Sequence, residues 1–589
     1  MSGKNFNWNL EDIFKNKEEF NQTKKSMLND LEEIKKYQGN LCNTAQNLYN
    51  AYKIYETAVQ KFEKLYAYGM LSYHLDMSNQ EGIKLFKEVE ALSTDFSTAT
   101  SFITPEITYA KEEKIESFLK NFQELKRYER DILDILQKKK HILSQEAEKL
   151  LANYSEMFSA PENVFDILTN AEFKFGTLVD ENGEEVELTD SNYTLYLKSK
   201  NVKVRKQAFN LMYKKYKEFI NTITELYLSN VKATSVTARL RNYSSSLEKA
   251  VDNDDASIKV YDSLMQAIDK NISVNHKFIE LKKKLLNKLD FHMYDLYVNP
   301  FESEKDEISF EEAEQEVLNA LSVLGEEYTN LLKHAFENNW IDVYAKPNKK
   351  GGAYSMGVYG VHPYVLTNFV GSKRDISTIA HELGHSIHSY YSNKNQTIID
   401  SNYTIMVAEV ASTVNELLLS DYQIKNETNK TKKAELLYEL LEMIRATFFR
   451  QSMFAEFEKI VHEKIESQET LSSEDLNDIY YKLNEKYFGN NMVIDKDIQY
   501  EWARIPHFYS DFYVYKYATG ISAAIAISTN ILSKGEEFVK KYIEMLKQGC
   551  SKKSIELLKM VDIDLESPET YENTIKYYEE KLKELEKIL

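Results

Sequence analysis

A mainly α-helical fold is predicted for this chain, and three observations carry the prediction. Glycine and proline are scarce, at 17 and 7 in 589 residues, so strands joined by tight turns cannot dominate. Long stretches place apolar residues at helical spacing between short polar joints. The composition, 43% hydrophobic and 28% charged, is that of a globular chain with ample length for a large core.

Residues from about 10 to 170 read as successive amphipathic helices, with Phe118 to Leu136 as an example of the pattern. Alternating apolar residues between Thr177 and Thr189 flank Asn182-Gly183, a strong hairpin signal, and a boundary is placed near 190. The expected division is a helical N-terminal domain over 1–190 and a catalytic domain over 191–589, its site built from 351–420 and 504–520. Helices resume over about 201 to 290 and 309 to 338. Between Gly351 and Gly371 the helical habit breaks. Glycines punctuate β-branched and aromatic residues, which predicts short strands near 353–360 and 364–370. Such a strand can edge a cleft where an extended peptide pairs with it, or serve as a structural hairpin alone. Asp375 or Ser377 is placed to cap the following helix. From about 403 the pattern is helical again, closing on a charged amphipathic helix at 570–589 that is either docked or solvated.

The net charge of −19, without a large basic block, argues against a nucleic-acid partner. Two cysteines, Cys42 and Cys550, form no metal-like pair and fit a reducing compartment. No signal-peptide core and no apolar run of membrane-spanning length is present, so a soluble, cytoplasmic protein without a membrane partner is expected.

The most informative segment is His381-Glu382-Leu383-Gly384-His385. On a helix this spacing puts both imidazoles on one side, where they can share a zinc ion, with Glu382 placed to handle the proton of a zinc-bound water. That chemistry cleaves amide bonds. With 11 histidines in the chain, the pattern arises by accident only about 0.02 times in a sequence this long. Ile376, Ile379, Leu383 and Ile387 define a core-facing stripe, and the mean direction of His381, His385 and His388 lies roughly 160° from it. The histidines therefore point into water or into a cleft.

A catalytic zinc needs a third protein ligand and an open position. The extended pattern with a further histidine six residues on is excluded, because Tyr391 stands there and His388 replaces its glycine. His388 is poorly spaced as a ligand and is expected in a supporting, substrate-facing or surface position. The segment from Met406 to Leu419 is apolar nearly all round, apart from one stripe of Glu409, Thr413 and Glu416. A carboxylate in such a helix is costly unless paired or bound to a cation. Glu409 is the expected third ligand and Glu416 a supporting group; the alternative is a solvated or salt-bridged stripe.

A donor for the developing oxyanion is sought in the segment from Arg504 to Gly520, where tyrosines crowd behind His507. Periodicity does not choose among the hydroxyls, and taken alone the run fits aromatic core packing.

HELGHSIHSYY, then MVAEVAST, then IPHFYSDFYVYKYATG, in this order and spacing, resemble the oligoendopeptidase F branch of the thimet-oligopeptidase-like zinc peptidases. The hairpin near 177–189 and the KKGGAYS segment share the resemblance, which runs from roughly 110 to 580. It implies a two-lobed helical fold enclosing a deep substrate channel, with a small hairpin or sheet beside the His-Glu helix. It also implies one Zn²⁺ per chain on His381, His385 and Glu409, with Glu382 as base. His507 and Tyr515 are the first choices for catalytic contact with the scissile bond. Tyr509, Tyr513 and His388 are further choices for contact with substrate. The distance in sequence from His507 to Tyr515 is shorter than in the thimet branch.

The function expected is zinc-dependent endopeptidase action on short, unstructured oligopeptides. A zinc exopeptidase is the alternative, for which Lys349, Lys350 or Arg374 could anchor a terminal carboxylate, although surface solubility is the plainer role for them. A non-catalytic helical peptide-binding protein is a third reading, against which the complete set of ligands and base argues. Cleavage preference, oligomeric state and the choice of zinc over other divalent ions do not follow from the sequence.

Overall fold

The computed structural model describes residues 6–301 and 307–589. It is mainly helical, as expected, with two small sheets. The elements that matter below are helices α1 (Lys17–Lys35), α2 (Ala45–Leu75) and α3 (Gln80–Thr100) and strands β1 (Thr177–Val179) and β2 (Glu185–Glu187). Strands β3 (Ile341–Tyr344), β4 (Tyr354–Met356) and β5 (Tyr364–Phe369) follow. Then come α4 (Lys373–Asn395), α5 (Ile405–Asn426), α6 (Arg450–Glu466), α7 (Tyr515–Lys534) and α8 (Pro568–Ile588).

The chain forms two compact units, each assembled from three segments. The first comprises Met1–Ile142, Lys305–Asn426 and Ala524–Ile563, and the second Leu143–Glu304, Glu427–Ala523 and Asp564–Leu589. The single boundary expected near 190 is not where these units divide. The chain passes between them repeatedly, and no shift in composition marks the passages.

In the first unit, polar side chains begin each of the three early helices by accepting from free backbone N–H groups: Asn16 for α1, Thr44 for α2 and Asn79 for α3. Their apolar faces meet Trp8, Phe14 and Phe20 in one core cluster, which continues through Val358, Tyr364 and Leu366 at the sheet. β5 is the central strand, parallel to β3 through Ile341 opposite Val365 and antiparallel to β4 through Ser355 opposite Val365. The expected strands at 353–360 and 364–370 are present as β4 and β5; β3 is an addition. Lys349 pins this sheet from a fully buried position. Its ammonium pairs with Asp342 at 2.7 Å and donates to the carbonyls of Tyr344 and Thr367 at 2.7 and 2.6 Å. It is thus neither a surface group nor free to anchor a peptide terminus, while Lys350 and Arg374 are exposed.

The second unit holds the predicted hairpin, with Leu178 opposite Val186 and Gly183 at φ 86° in the turn. The stretch from Phe118 to Leu136, in the first unit, is not one helix. Glu112–Asn121 ends at Phe122, a 3₁₀ turn covers Gln123–Tyr128, and a new helix runs over Glu129–Gln137. α8 is docked: Tyr571, Ile575, Tyr578, Leu582 and Leu585 are buried, and the Tyr571 hydroxyl donates to the Leu565 carbonyl at 2.8 Å. Among the described residues no helix is long and apolar enough to cross a membrane.

Candidate active site

α4 starts where its sequence provides a reciprocal cap. The Ser372 side chain accepts from the Asp375 N–H, and the Asp375 carboxylate accepts from the Ser372 N–H at 2.9 Å. The cap is therefore Ser372, with Asp375 as its partner. Ser377, the other candidate, instead donates its hydroxyl to Glu416 at 3.1 Å. The stripe of Ile376, Ile379, Leu383 and Ile387 is buried as the 3.6-residue period requires. Each such side chain removed from water contributes about 1.5–3 kcal/mol, which fixes the rotation of α4 and with it the direction of the histidines.

α5 packs directly along α4. Gly384 is the reason the two backbones come so close, because a Cβ there would lie 2.6 Å from the Ser412 Cα and 2.8 Å from the Ala411 carbonyl oxygen. Asn415, buried in α5, donates to the Ala380 carbonyl at 3.0 Å and accepts from the Tyr328 hydroxyl at 3.1 Å. The contact and the hydrogen bonds together set the rotation of α5, which turns Glu409 and Glu416 toward the histidines.

The result is a compact set of donors. The Nε2 atoms of His381 and His385 face one another at 3.1 Å; the Glu409 carboxylate is 3.7 Å from the first and 3.9 Å from the second. All three ligand atoms lie within 4.8 Å of one another. Among the described residues this is the one group of His, Cys, Asp or Glu side chains gathered closely enough to hold an ion. Tetrahedral zinc with bonds near 2.0–2.1 Å places its ligands about 3.3 Å apart, so the three atoms fit a cation. The two facing imidazole nitrogens either share one proton or take a cation between them.

The surrounding charge fits the same reading. His381 Nδ1 is 2.6 Å from Glu416, the arrangement that fixes a ligating imidazole in the tautomer with Nε2 free. Burial disfavours the charged form of His381, yet the bond to Glu416 and the nearby carboxylates outweigh it and hold its pKa above the usual value. No such carboxylate partner bonds the His385 Nδ1 among the described residues, and burial, with His381 beside it, pushes it down to about 3. Glu382 is 7% exposed. Burial raises its carboxyl to about 7, against the pull of His381 and with a further push from Glu409 and Glu416.

β4 lies against α4, and the Ser355 hydroxyl is 2.8 Å from that of Ser386, which in turn donates to the Glu382 carbonyl at 2.9 Å. β4 pairs with β5 on one side only. The expected sheet beside the His-Glu helix is present.

Of the three positions expected for His388, the surface one is excluded. It is 1% exposed and stacked on Tyr403 with centroids 3.7 Å apart. Tyr403 comes from the loop before α5 and also bonds Ser389 at 2.7 Å. No pattern within α4 reveals it.

The residues of the 504–520 segment belong to the second unit. There His507 lies at the surface on a 3₁₀ turn over Pro506–Tyr509, and the neighbours that cover part of its ring lower its pKa by desolvation. Tyr515 is fully buried, and its hydroxyl donates to Asp254 at 2.7 Å. The structure thus moves Tyr515 from the reacting groups to the interior. Tyr509 is buried as well, stacked on Phe165 with centroids 4.6 Å apart. Tyr513 is half-buried beside His507, with rings 5.8 Å apart, and Tyr517 completes the cluster, its hydroxyl 3.4 Å from His507 Nε2. Tyr517 is the residue the sequence reading passed over. Tyr517 lies in the first turn of α7, whereas Tyr513 precedes that helix, so helical spacing in the sequence does not pair them.

Comparison with known proteins agrees along the whole chain. The profile of Peptidase family M3 matches residues 195–577, and that of Oligopeptidase F matches residues 106–175. Oligopeptidase PepF of Bacillus subtilis is 40% identical over 582 residues, which span 99% of this chain and 87% of that protein. An oligoendopeptidase F homolog of Borreliella burgdorferi is 38% identical over 586 residues, 99% of this chain and 98% of its own. Among solved structures, oligoendopeptidase-F of Enterococcus faecium superposes with a TM-score of 0.74 at 32% identity, covering 97% of this chain and 99% of that one. A protein of Chlamydophila abortus gives a TM-score of 0.92 at 33% identity over 99% and 98% of the two chains. The chain belongs to peptidase family M3, as an oligopeptidase of the oligopeptidase F branch.

Proposed function

We propose that this oligopeptidase is a zinc-dependent endopeptidase that cuts short, unstructured peptides. The observation that carries the reading is the convergence of His381, His385 and Glu409 within 4.8 Å, on two helices held in contact at Gly384, with the Glu382 carboxyl on the same helix as the two histidines. These three residues hold one ion per chain, and zinc bound there supplies a Lewis acid that acidifies water and polarises a carbonyl. Glu416 keeps His381 in the ligating tautomer. Glu382, beside His381 and three residues before His385 on α4, accepts the proton of the attacking water and passes it to the leaving amine. Burial of its carboxyl suits a group that must both take and give a proton near neutral pH.

Family resemblance assigns substrate contact to a histidine and a tyrosine hydroxyl of the 504–520 segment. Within its unit, the cluster of exposed His507 with half-buried Tyr513 and Tyr517 offers those groups, in place of Tyr515. The free side of β4 offers backbone groups to an extended peptide. Two half-buried free thiols fit a reducing compartment such as the cytoplasm, and partial burial pushes Cys42 up to about 11 and Cys550 to about 12, which keeps both protonated.

The test is a set of short peptides blocked at both ends, incubated with zinc-loaded protein and mapped by mass spectrometry with and without a chelator. Internal cuts that vanish with the chelator are expected. Intact blocked peptides beside trimmed unblocked ones would replace the endopeptidase reading with an exopeptidase.

A further inference from the structure

The 504–520 segment contains a backbone conformation that needs an explanation. Phe512 has φ 54°, in the left-handed region that a bulky side chain rarely adopts. Its position is buried, so the turn is not a relaxed surface loop. The reversal at this turn brings His507 beside Tyr513 and Tyr517, with ring centroids 5.8 and 6.0 Å away.

What holds the turn is a carboxyl group in the core. Glu458 on α6 is fully buried, and its Oε1 accepts from the Phe512 N–H at 2.6 Å. Its Oε2 has no hydrogen-bond partner among the described residues. A buried acid with half its capacity unused is costly, and hydrophobic packing at that site would be the cheaper solution. His462, one turn further along α6, packs at a tilt against the Phe512 ring with centroids 4.4 Å apart, so the same helix holds both the backbone and the side chain of this residue. The neighbouring ties are of the same kind: Thr234 donates to Asp511 at 2.6 Å, and Tyr515 and Lys516 both reach Asp254.

We propose that Glu458 is a positioning residue, which holds the left-handed turn at Phe512 through its N–H and thereby fixes where His507, Tyr513 and Tyr517 are presented. The inference rests on the reading that this cluster meets the substrate. Glu458 itself is in the interior and touches no reacting atom. The group required at position 458 is an acceptor of the right reach, not a charge, so glutamine satisfies it and methionine, of similar length, does not.

The experiment compares zinc-loaded Glu458→Gln, Glu458→Met and Glu458→Asp with wild type on a blocked peptide. Hydrogen exchange of the peptide spanning 505–514 is followed in parallel. The methionine variant is expected to lose kcat by on the order of 10- to 100-fold, the cost of a reacting group displaced by about 1 Å, with KM and zinc content little changed. Its 505–514 exchange should rise, while glutamine restores both kcat and protection. Should the methionine variant fail to fold, aspartate decides, because its acceptor is one methylene short of Phe512 and must give the same loss. Wild-type kcat and exchange in the methionine or aspartate variant would overturn the proposal, as would a glutamine variant as impaired as methionine. His507→Ala separates the two readings. If it keeps full kcat, the substrate role of the cluster is what fails, and the exchange comparison alone decides whether Glu458 holds the turn.

Discussion

Gly384 and Ser412 are in contact at the backbone: a Cβ on the glycine would sit 2.6 Å from the Ser412 Cα. The glycine inside the His-Glu pentapeptide therefore sets the spacing between α4 and α5, and that spacing sets the reach of Glu409. Gly384→Ala is expected to force the helices apart. The strain should cost about 1–3 kcal/mol of stability, and zinc affinity should fall with it. Thermal melting of the zinc-free protein and competition with a chelator measure the two. A variant with unchanged melting and unchanged affinity would show that the contact is not required.

Glu416 is the partner of His381 Nδ1. Replacing it with glutamine removes the charge but keeps the shape, so the fold should survive. Zinc affinity is expected to drop about 10- to 100-fold, as it does when the support of a ligating histidine is lost. Metal competition titrations read this directly, and an affinity equal to wild type would leave Glu416 without the supporting role.

Lys349 separates a structural cation from a substrate anchor. Removing one partner of a buried ion pair costs about 3–5 kcal/mol when the remaining charge is left unpaired; Asp342 keeps Lys346 at 3.1 Å, so only part of that cost is expected here. Lys349→Ala should therefore lower the melting temperature by exposing Asp342 to that penalty, whatever the substrate. If melting is unchanged and KM rises only for peptides with a free C-terminus, Lys349 binds the terminal carboxylate instead.

Asp400 gives a prediction about pH. Burial pushes its carboxyl up to about 6, with Asp131 and Asp134 adding to the effect and Thr397 and Arg130 opposing it. The folded protein thus holds this proton to higher pH than an unfolded chain, whose aspartates titrate near 3.9. The associated stability is fully present below about pH 4 and is lost as pH rises through about 6. Asp400→Asn should remove that slope and melt higher than wild type above pH 6, by an amount on the order of 1–2 kcal/mol. Parallel melting curves from pH 4 to 8 for the two proteins would contradict the assignment.

The parts of the fold that were legible in the sequence are those governed by neighbours within one helix or turn. The Ile376 to Ile387 stripe, the His-Glu spacing, the Asn182-Gly183 hairpin and the glycine-punctuated strands all depend on local periodicity, and all are found where expected. Glu409 was legible because a carboxylate on an apolar helix needs a partner. The parts that were not legible depend on residues outside the helix or turn concerned. Tyr515 is interior because Asp254, 261 positions earlier, takes its hydroxyl. His388 is covered by Tyr403 from the loop after α4, and Lys349, in the loop after β3, is claimed by Asp342 on that strand. The break at Phe122 follows no glycine or proline, so periodicity carries straight through it.

The central claim is that one cation is shared by α4 and α5. Anomalous scattering at the zinc edge from crystals of the zinc-loaded protein tests it most directly. The account predicts one strong peak about 2.0–2.2 Å from His381 Nε2, His385 Nε2 and a Glu409 carboxylate oxygen. A peak elsewhere, or a Glu409 carboxylate rotated away from an ion held by the histidines alone, would contradict it.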